Sequence, residues 1–173
     1  MAEARKFANN AVQMLRTVQA NTMALSQMAD QKASILMGAT FVVFSLSVSR
    51  ALTGEVPYSL SVLALFSFLS SLCAVIAILP SIGGMRKPKG PLPPPNFLFF
   101  GHFTGRQEDD WAEDVLVRME DEEAMFRMML RDIYQNGQVL QKKKFRFLTY
   151  AYRLFITGLL TTIGVFAFEV GAF

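Results

Sequence analysis

Three stretches of this chain carry no charged residue and consist mainly of apolar side chains, and this feature constrains the fold more than any other. They read SILMGATFVVFSLSV at 34–48, VPYSLSVLALFSFLSSLCAVIAILPSI at 56–82 and LFITGLLTTIGVFAF at 154–168. A helix that crosses about 30 Å of hydrocarbon needs roughly 20 residues. With their flanking residues, these stretches predict transmembrane helices at 34–52, 58–82 and 151–172.

A soluble helical bundle is the alternative to this prediction. A helix in such a bundle carries a polar stripe on the side that faces water, and these stretches have none. The first stretch is also not typical of a secretory signal, because a long polar segment precedes it and a second apolar stretch follows at once. We therefore expect an all-α membrane protein.

Composition excludes most kinds of enzyme. The chain has 173 residues, of which 52% are hydrophobic and only 18% charged, against roughly 25% charged in soluble domains. Its one cysteine, Cys73, and its one histidine, His102, exclude an internal disulfide, a cysteine zinc cluster and a multi-histidine metal site. No phosphate-binding loop, GxSxG or HExxH motif occurs. We expect no catalytic residue, no metal and no cofactor.

Basic residues flank the predicted spans unevenly. They precede the first span, follow the second and precede the third, whereas the short hairpin at 53–57 and its flanks offer only Arg50 against Glu55. Lysine and arginine are enriched on the cytoplasmic side of membranes. The N-terminus and the region 83–150 are therefore expected in the cytoplasm, with the C-terminus on the other side.

The segment before the first span, 1–33, is predicted to be a cytoplasmic amphipathic helix, because it lacks Gly and Pro and is rich in helix-forming residues. Residues at alternating steps of four and three form a heptad-like seam with Asn21 in the same series: Phe7, Ala11, Met14, Val18, Leu25 and Met28. A single polar residue in such a seam commonly fixes register. The seam packs either on a second copy of the chain or on the chain's own cytoplasmic helix.

The region between the second and third spans divides in two. Residues 83–105 are expected to form a proline-rich spacer followed by aromatic residues that lie at the membrane surface or in a groove between the cytoplasmic helices. Residues 106–150 are predicted to form one long amphipathic helix, acidic at its start and basic at its end. That polarity complements the helix dipole.

Four basic residues are candidates for binding an anionic ligand: Arg127, Arg131, Lys143 and Arg146. Guanidinium groups suit phosphate because they form paired hydrogen bonds. The alternative is pairing along the helix, since Glu123 lies four residues before Arg127. Small residues predict close helix contacts at five positions: Gly38, Ala39, Gly137, Gly158 and Gly164.

Two stretches carry a resemblance to a known family. ADQKASILMGAT at 29–40 joins the cytoplasmic helix to the first span, and FLFFGHFTG at 97–105 is followed by LRDIYQNGQVLQKKKFRFLTYAYRLF at 130–155, which leads into the third. In this order they resemble the transmembrane effector family of the Pycsar antiphage defence systems, bacterial operons that pair a pyrimidine cyclase with a membrane protein. The resemblance extends over nearly the whole chain.

The resemblance implies a function in the bacterial inner membrane. A partner cyclase makes cyclic CMP or cyclic UMP, the effector senses it, and the membrane loses integrity, so that the host stops before phage multiply in an abortive infection. The expected partners are the bilayer, further copies of the chain and a pyrimidine nucleotide cyclase that it need not touch, with no nucleic acid. No separate cyclic-nucleotide-binding domain is evident, so either sensing falls within 83–150, between copies of the chain for instance, or this chain is a bare membrane module.

Two other functions are compatible with the pattern of spans. One is a non-enzymatic membrane scaffold or interaction protein with a cytoplasmic helical bundle. The other is a small transporter, which is disfavoured because the spans carry almost no ionisable group of the kind that marks a substrate path.

Overall fold

The computed structural model of this chain describes residues 7–52, 54, 57–79 and 95–171. Most of the predicted hairpin at 53–57, the last residues of the predicted second span and the proline-rich part of 83–105 lie outside the described residues. In the described part the chain forms helices and no strand. This confirms the all-α prediction.

The described residues form six α-helices and one π-helical segment. These are α1 (Ala11–Ala51), α2 (Tyr58–Ile78), α3 (Phe100–Phe103), α4 (Glu108–Met119), α5 (Glu122–Val139), the π segment (Leu140–Phe145) and α6 (Arg146–Gly171). Three helical runs are long and apolar enough to cross a membrane, namely α1, α2 and the run from α5 to α6. The three predicted spans are therefore present as helices.

The N-terminal helix differs from the predicted one at its start and continues into the first span. Its first six residues lie outside the described part, residues 7–10 are not helical, and α1 begins at Ala11. Asn9 and Asn10 form a turn there, because asparagine side chains compete with the backbone and favour turns over helix interiors. From Ala11 the helix runs without interruption to Ala51.

The single helix expected over 106–150 is divided in the structure. It stops at Met119 and restarts at Glu122. Asp121 is the reason, because its carboxylate accepts the backbone N–H of Glu123 at 3.0 Å, as an N-cap residue does at a new helix start. Glu122 and Glu123 in the first turn of α5 also complement the positive end of its dipole.

The chain divides into two compact units. Among the described residues, those of 7–25 and 95–139 form the first, and those from 26 to 79 and from 140 to 171 form the second. The core of the first unit contains Phe97, Val115 and Met128, with Leu98 and Trp111 packed against them. The aromatic stretch predicted at 97–103 thus contributes Phe97 to the core of its own unit.

The second unit has a core of small and aliphatic side chains from α1, α2, the π segment and α6: Ala29, Ala33, Leu36, Ala74, Leu140, Leu148 and Ala151. Alanine allows helix backbones to approach closely. α2 and α6 pack along their length, and the Ser70 hydroxyl donates to the Ala151 carbonyl at 2.8 Å. Cys73 is partly buried against this core.

Candidate functional site

A buried polar network anchors the start of the aromatic stretch inside the first unit. The Asn96 side chain, 1% exposed, donates to a carboxylate oxygen of Asp132 at 3.2 Å and to the Gln135 side-chain oxygen at 3.0 Å. The Gln19 amide donates to the other Asp132 oxygen at 3.0 Å. Since buried polar groups are costly unless paired, these bonds fix how residues 95–98 join α1 and α5.

His102 belongs to the same stretch and has a structural contact. Its Nδ1 accepts the backbone N–H of Asn96 at 3.4 Å, and its ring stands edge-on to Phe99 with 5.3 Å between ring centres. Trp111 fixes the stretch from α4, since its indole N–H donates to the Phe97 carbonyl at 2.9 Å.

Two arginines lie over the Phe97 ring, and one aspartate pairs with both of them. The Arg118 guanidinium lies 4.1 Å from the ring centre and that of Arg106 lies 5.5 Å away. Asp114 accepts from Arg106 at 2.6 Å and from Arg118 at 3.3 Å. The hydrogen bond from Arg106, followed by that from Arg118, holds the pKa of the Asp114 carboxyl below its ordinary value, against the opposing effect of desolvation.

The two predicted ligand-binding arginines of α5 have partners within the first unit. The Arg127 Nε donates to the Glu123 carboxylate at 2.8 Å, which is the pairing along the helix considered as the alternative. The Arg131 guanidinium donates to the Pro95 carbonyl at 3.3 Å. Arg127 is exposed and Arg131 is half-buried, so the pair lies at the surface of the unit beside residue 95.

The other two predicted ligand-binding residues belong to the second unit. Lys143 donates to the Leu79 carbonyl at 2.6 Å, where a positive charge complements the C-terminal end of α2. Arg146 donates to the Tyr150 hydroxyl at 3.3 Å and its guanidinium lies 5.7 Å from that ring. The four candidates thus fall in two separate units, and each of these contacts is made within its own unit.

Lys144 was not among the predicted residues, yet it has the most buried ion pair of this region. Its ammonium donates to Asp30 at 2.6 Å and to the Ser26 hydroxyl at 2.7 Å, with 18% of the Lys144 side chain exposed. The sequence signal was Asp30, the only acidic residue between Ala8 and Arg50. A single carboxylate just before a membrane span is stabilised by a nearby cation, and Lys144 of the three consecutive lysines is that cation.

The small residues predicted at helix contacts differ in their surroundings. Gly158 is buried, and a Cβ built there would overlap the Cβ of Phe66 on α2 and lie 2.8 Å from its Cγ. Cβ atoms at Gly38, Gly137 and Gly164 would meet no described atom within 4 Å, and Ala39 is exposed. Gly158 is therefore the position where the close packing of α2 against α6 requires a residue without a side chain.

The opposite end of the second unit holds an acidic residue, Glu169, which directly follows the uncharged stretch 154–168. The Glu169 carboxylate accepts the Ser59 hydroxyl at 2.6 Å and the Ser59 backbone N–H at 3.2 Å, so it caps the start of α2. An open cavity of about 610 Å³ at this end is lined by residues that include Arg50, Ser59 and Phe166. Among the described lining residues none is acidic.

One of three comparisons with known proteins finds a family. The model of the Pycsar effector protein domain, PycTM, matches residues 13–171, which include every described helix except the first two residues of α1. No curated protein and no solved structure matches the chain.

Proposed function

This chain belongs to the Pycsar effector transmembrane family, and we propose on that basis that a cyclic pyrimidine nucleotide triggers it to breach the bacterial inner membrane. The family makes it a membrane effector of a Pycsar defence system. Cyclic CMP and cyclic UMP are the proposed triggers, and abortive infection is the proposed outcome. The observation that carries the proposal is the family match over nearly the whole chain, together with three helical runs of membrane-spanning length.

The proposed orientation places the first unit in the cytoplasm, where a nucleotide would be made. Its support is the excess of lysine and arginine before the first span, after the second and before the third. The π segment alone contributes three consecutive lysines, Lys142 to Lys144, at the point where the chain re-enters the proposed span. Anionic headgroups of the cytoplasmic leaflet attract such a run.

The proposed ligand contacts are the basic residues named from the sequence. Arg127 pairs with Glu123 at the surface of α5, so a cyclic phosphate would displace a carboxylate that already has the required geometry. Arg131 is half-buried beside the Pro95 carbonyl and would offer its remaining N–H groups. Lys143 and Arg146, in the second unit, are the candidates nearest the spans.

Triggering requires that the nucleotide bind the active state better than the resting state, because a ligand shifts an equilibrium only by its differential affinity. A few charge-assisted hydrogen bonds to phosphate supply a few kcal/mol, which is enough to change the populations substantially. The spans contain almost no ionisable side chain, so the proposed lesion is an unselective leak and not an ion-selective channel.

The test is dye release from liposomes that contain the purified full chain. We expect release after addition of cyclic CMP or cyclic UMP and not after addition of cyclic AMP or cyclic GMP. Arg131→Ala should reduce the response at a fixed nucleotide concentration, and an exposed acidic residue with no described contact, as in Asp109→Ala, is the matched control. No leak with any nucleotide, in protein that is folded and inserted, would contradict the proposal and favour a passive scaffold.

The proposed cyclase partner is tested separately. Because the nucleotide diffuses, the cyclase and this effector need not touch. Co-expression with an active pyrimidine cyclase should arrest growth, whereas co-expression with a cyclase lacking activity should not. Arrest that persists with the inactive cyclase would contradict nucleotide triggering.

A further inference from the structure

One face of α1 keeps a strict repeat that the chain's own packing does not use. From Met14 to Leu46 its positions recur at alternating steps of four and three residues, and each of them is exposed. Met14 is 61% exposed, Leu25 44% and Met28 50%. We name this line of positions the α1 seam.

The chain's own contacts use the adjacent line of the helix. Leu15, Ala29 and Leu36 are buried, and each of them lies one residue after a seam position. Lipid covers exposed apolar side chains within the predicted span, so the seam there has no need of a protein partner. Before Lys32 the seam lies outside that span, where exposed methionine and leucine side chains would face water.

We propose that the α1 seam binds the same seam of a second copy of this chain, as a parallel two-helix coiled coil. A strict four-and-three repeat is the spacing that keeps one stripe facing a partner helix along its whole length. Copies inserted in one membrane by the same rule have the same orientation, so their α1 helices run parallel and identical positions meet. Asn21 then faces Asn21 and fixes the register.

The charge pattern fits a second copy. The positions that flank the seam on both sides carry no charged residue from Leu15 to Ser45. A partner helix with charged flanking positions would find no opposite charge there. A second copy has uncharged flanking positions and therefore needs no opposite charge. Lys32 is the one charge within the seam, and its long side chain can reach the headgroup layer at the start of the span.

The area is sufficient for a specific contact. The seam runs from Met14 to Leu46, which at 1.5 Å per residue is roughly 50 Å of helix, and a contact strip about 10 Å wide gives roughly 1,000 Å² over two copies. That reaches the lower bound of about 1,000 Å² expected of a biological interface. The inference does not depend on the trigger or on the lesion proposed above.

Cysteine cross-linking of the full chain in liposomes tests the interface. Met28→Cys places a thiol in the seam, and Gln27→Cys places one at an adjacent exposed position that points away from it. With a short bismaleimide, we expect Met28→Cys to give at least about tenfold more covalent dimer than Gln27→Cys, by the knobs-into-holes geometry. The unsubstituted chain measures any contribution of native Cys73. The assay is run without nucleotide and with cyclic CMP or cyclic UMP.

A second variant probes the seam without cysteine. Leu25→Lys adds like charges that would face each other in the dimer, so light scattering in detergent should report loss of the dimer mass. Met23→Lys is the matched control and should retain that mass, because Met23 is also an exposed apolar residue of α1 but lies on the side opposite the seam. Equal cross-linking of the two cysteine variants, or no dimer under any condition, would overturn the inference. Dimers without nucleotide-dependent leakage would contradict the proposed function alone.

Discussion

Two aspartates of the first unit, Asp132 and Asp114, have different structural roles because their surroundings differ. Asp132 is 3% exposed and accepts two amide donors, whereas Asp114 lies at the surface between two guanidinium groups. Removing the first takes an acceptor from two amide donors, of which the Gln19 amide is then left without a described partner, and an unpaired donor away from water costs more than the contact itself contributed. Removing the second exposes charges that water screens. The two residues should therefore differ in how mutation and acid affect the protein.

Asp132→Ala should destabilise the first unit by about 1–3 kcal/mol, because the partly buried Gln19 amide loses its acceptor and the buried Asn96 amide loses one of two. Trp111 is the single tryptophan and lies in this unit, so its fluorescence during urea unfolding in detergent measures the change. Asp109→Ala, at an exposed position, is the control and should alter stability by no more than about 0.5 kcal/mol. Equal effects of the two substitutions would contradict a buried network.

Asp114 should make the stability of this unit acid-sensitive. Its pKa is lowered in the folded chain, so its contribution is complete above the unfolded pKa, near 3.9, and is lost as the pH falls through the lower folded value. The wild-type chain should exceed Asp114→Asn in stability at neutral pH, and the difference should begin to shrink below about pH 4 and disappear once the pH lies below the lowered folded pKa. The measurement is the urea midpoint of Trp111 fluorescence against pH. A difference that stays constant down to pH 3 would exclude this role.

At the scale of elements, helix contacts in the second unit depend on small and unusual features. Gly158 lets the backbone of α6 approach Phe66 on α2, and the π segment presents Lys143 to the end of α2 and Lys144 to α1. A π turn is wider than an α turn and often marks a functional position. Here its consecutive lysines contact two different helices. These contacts hold three elements together where the chain meets the proposed cytoplasmic surface.

Gly158→Ala should destabilise the contact between α2 and α6, because the new methyl group would overlap the Cβ of Phe66, which moves only with its backbone. Overpacking of this kind costs about 1–3 kcal/mol. Gly164→Ala is the matched control, since a Cβ there meets no described atom within 4 Å. Thermal unfolding in detergent should show a lower midpoint for the first variant alone. A similar loss at both positions would point to a general effect of losing glycine in α6.

At the scale of the whole molecule, the proposed orientation is open to direct labelling. Leu52→Cys, at the exposed end of α1, should react with a membrane-impermeant maleimide in intact spheroplasts. Gln107→Cys, before α4, should react only after lysis, because the proposed orientation places its region in the cytoplasm. The unsubstituted chain accounts for Cys73, which lies within α2. The reverse pattern would invert the topology.

The helices and spans, which depend on the composition of one segment, could be predicted from the sequence. The contacts between distant segments could not. The spans followed from uncharged length, and the part of α1 before the first span followed from helix-forming residues without Gly or Pro. Apolar residues in 106–150 recur at steps of three, four or seven, which predicts a single apolar face: Val115, Met119, Phe126, Leu130, Ile133, Gly137 and Leu140. That face was only partly correct, since Val115 and Phe126 are buried but Met119 and Leu130 are exposed. The interruption of the helix at Asp121 shifts that face. The N-cap there could have been predicted from the sequence, where an aspartate is followed by two glutamates. Gln19, a partner of Asp132, and Asp30, a partner of Lys144, each lie more than a hundred residues away in the chain, beyond any local pattern.

The π segment also determines how this region tolerates a change in length. Its hydrogen bonds reach one residue further along the chain than those of an α-helix, so it holds one residue more than an α turn at the same place. Deleting the exposed Gln141 would convert the π segment to an ordinary α-helix and would leave the orientation of α6 unchanged. It would also break the contacts of Lys143 with Leu79 and of Lys144 with Asp30. The insertion of one residue into an ordinary α-helix would thus be enough to produce the π segment.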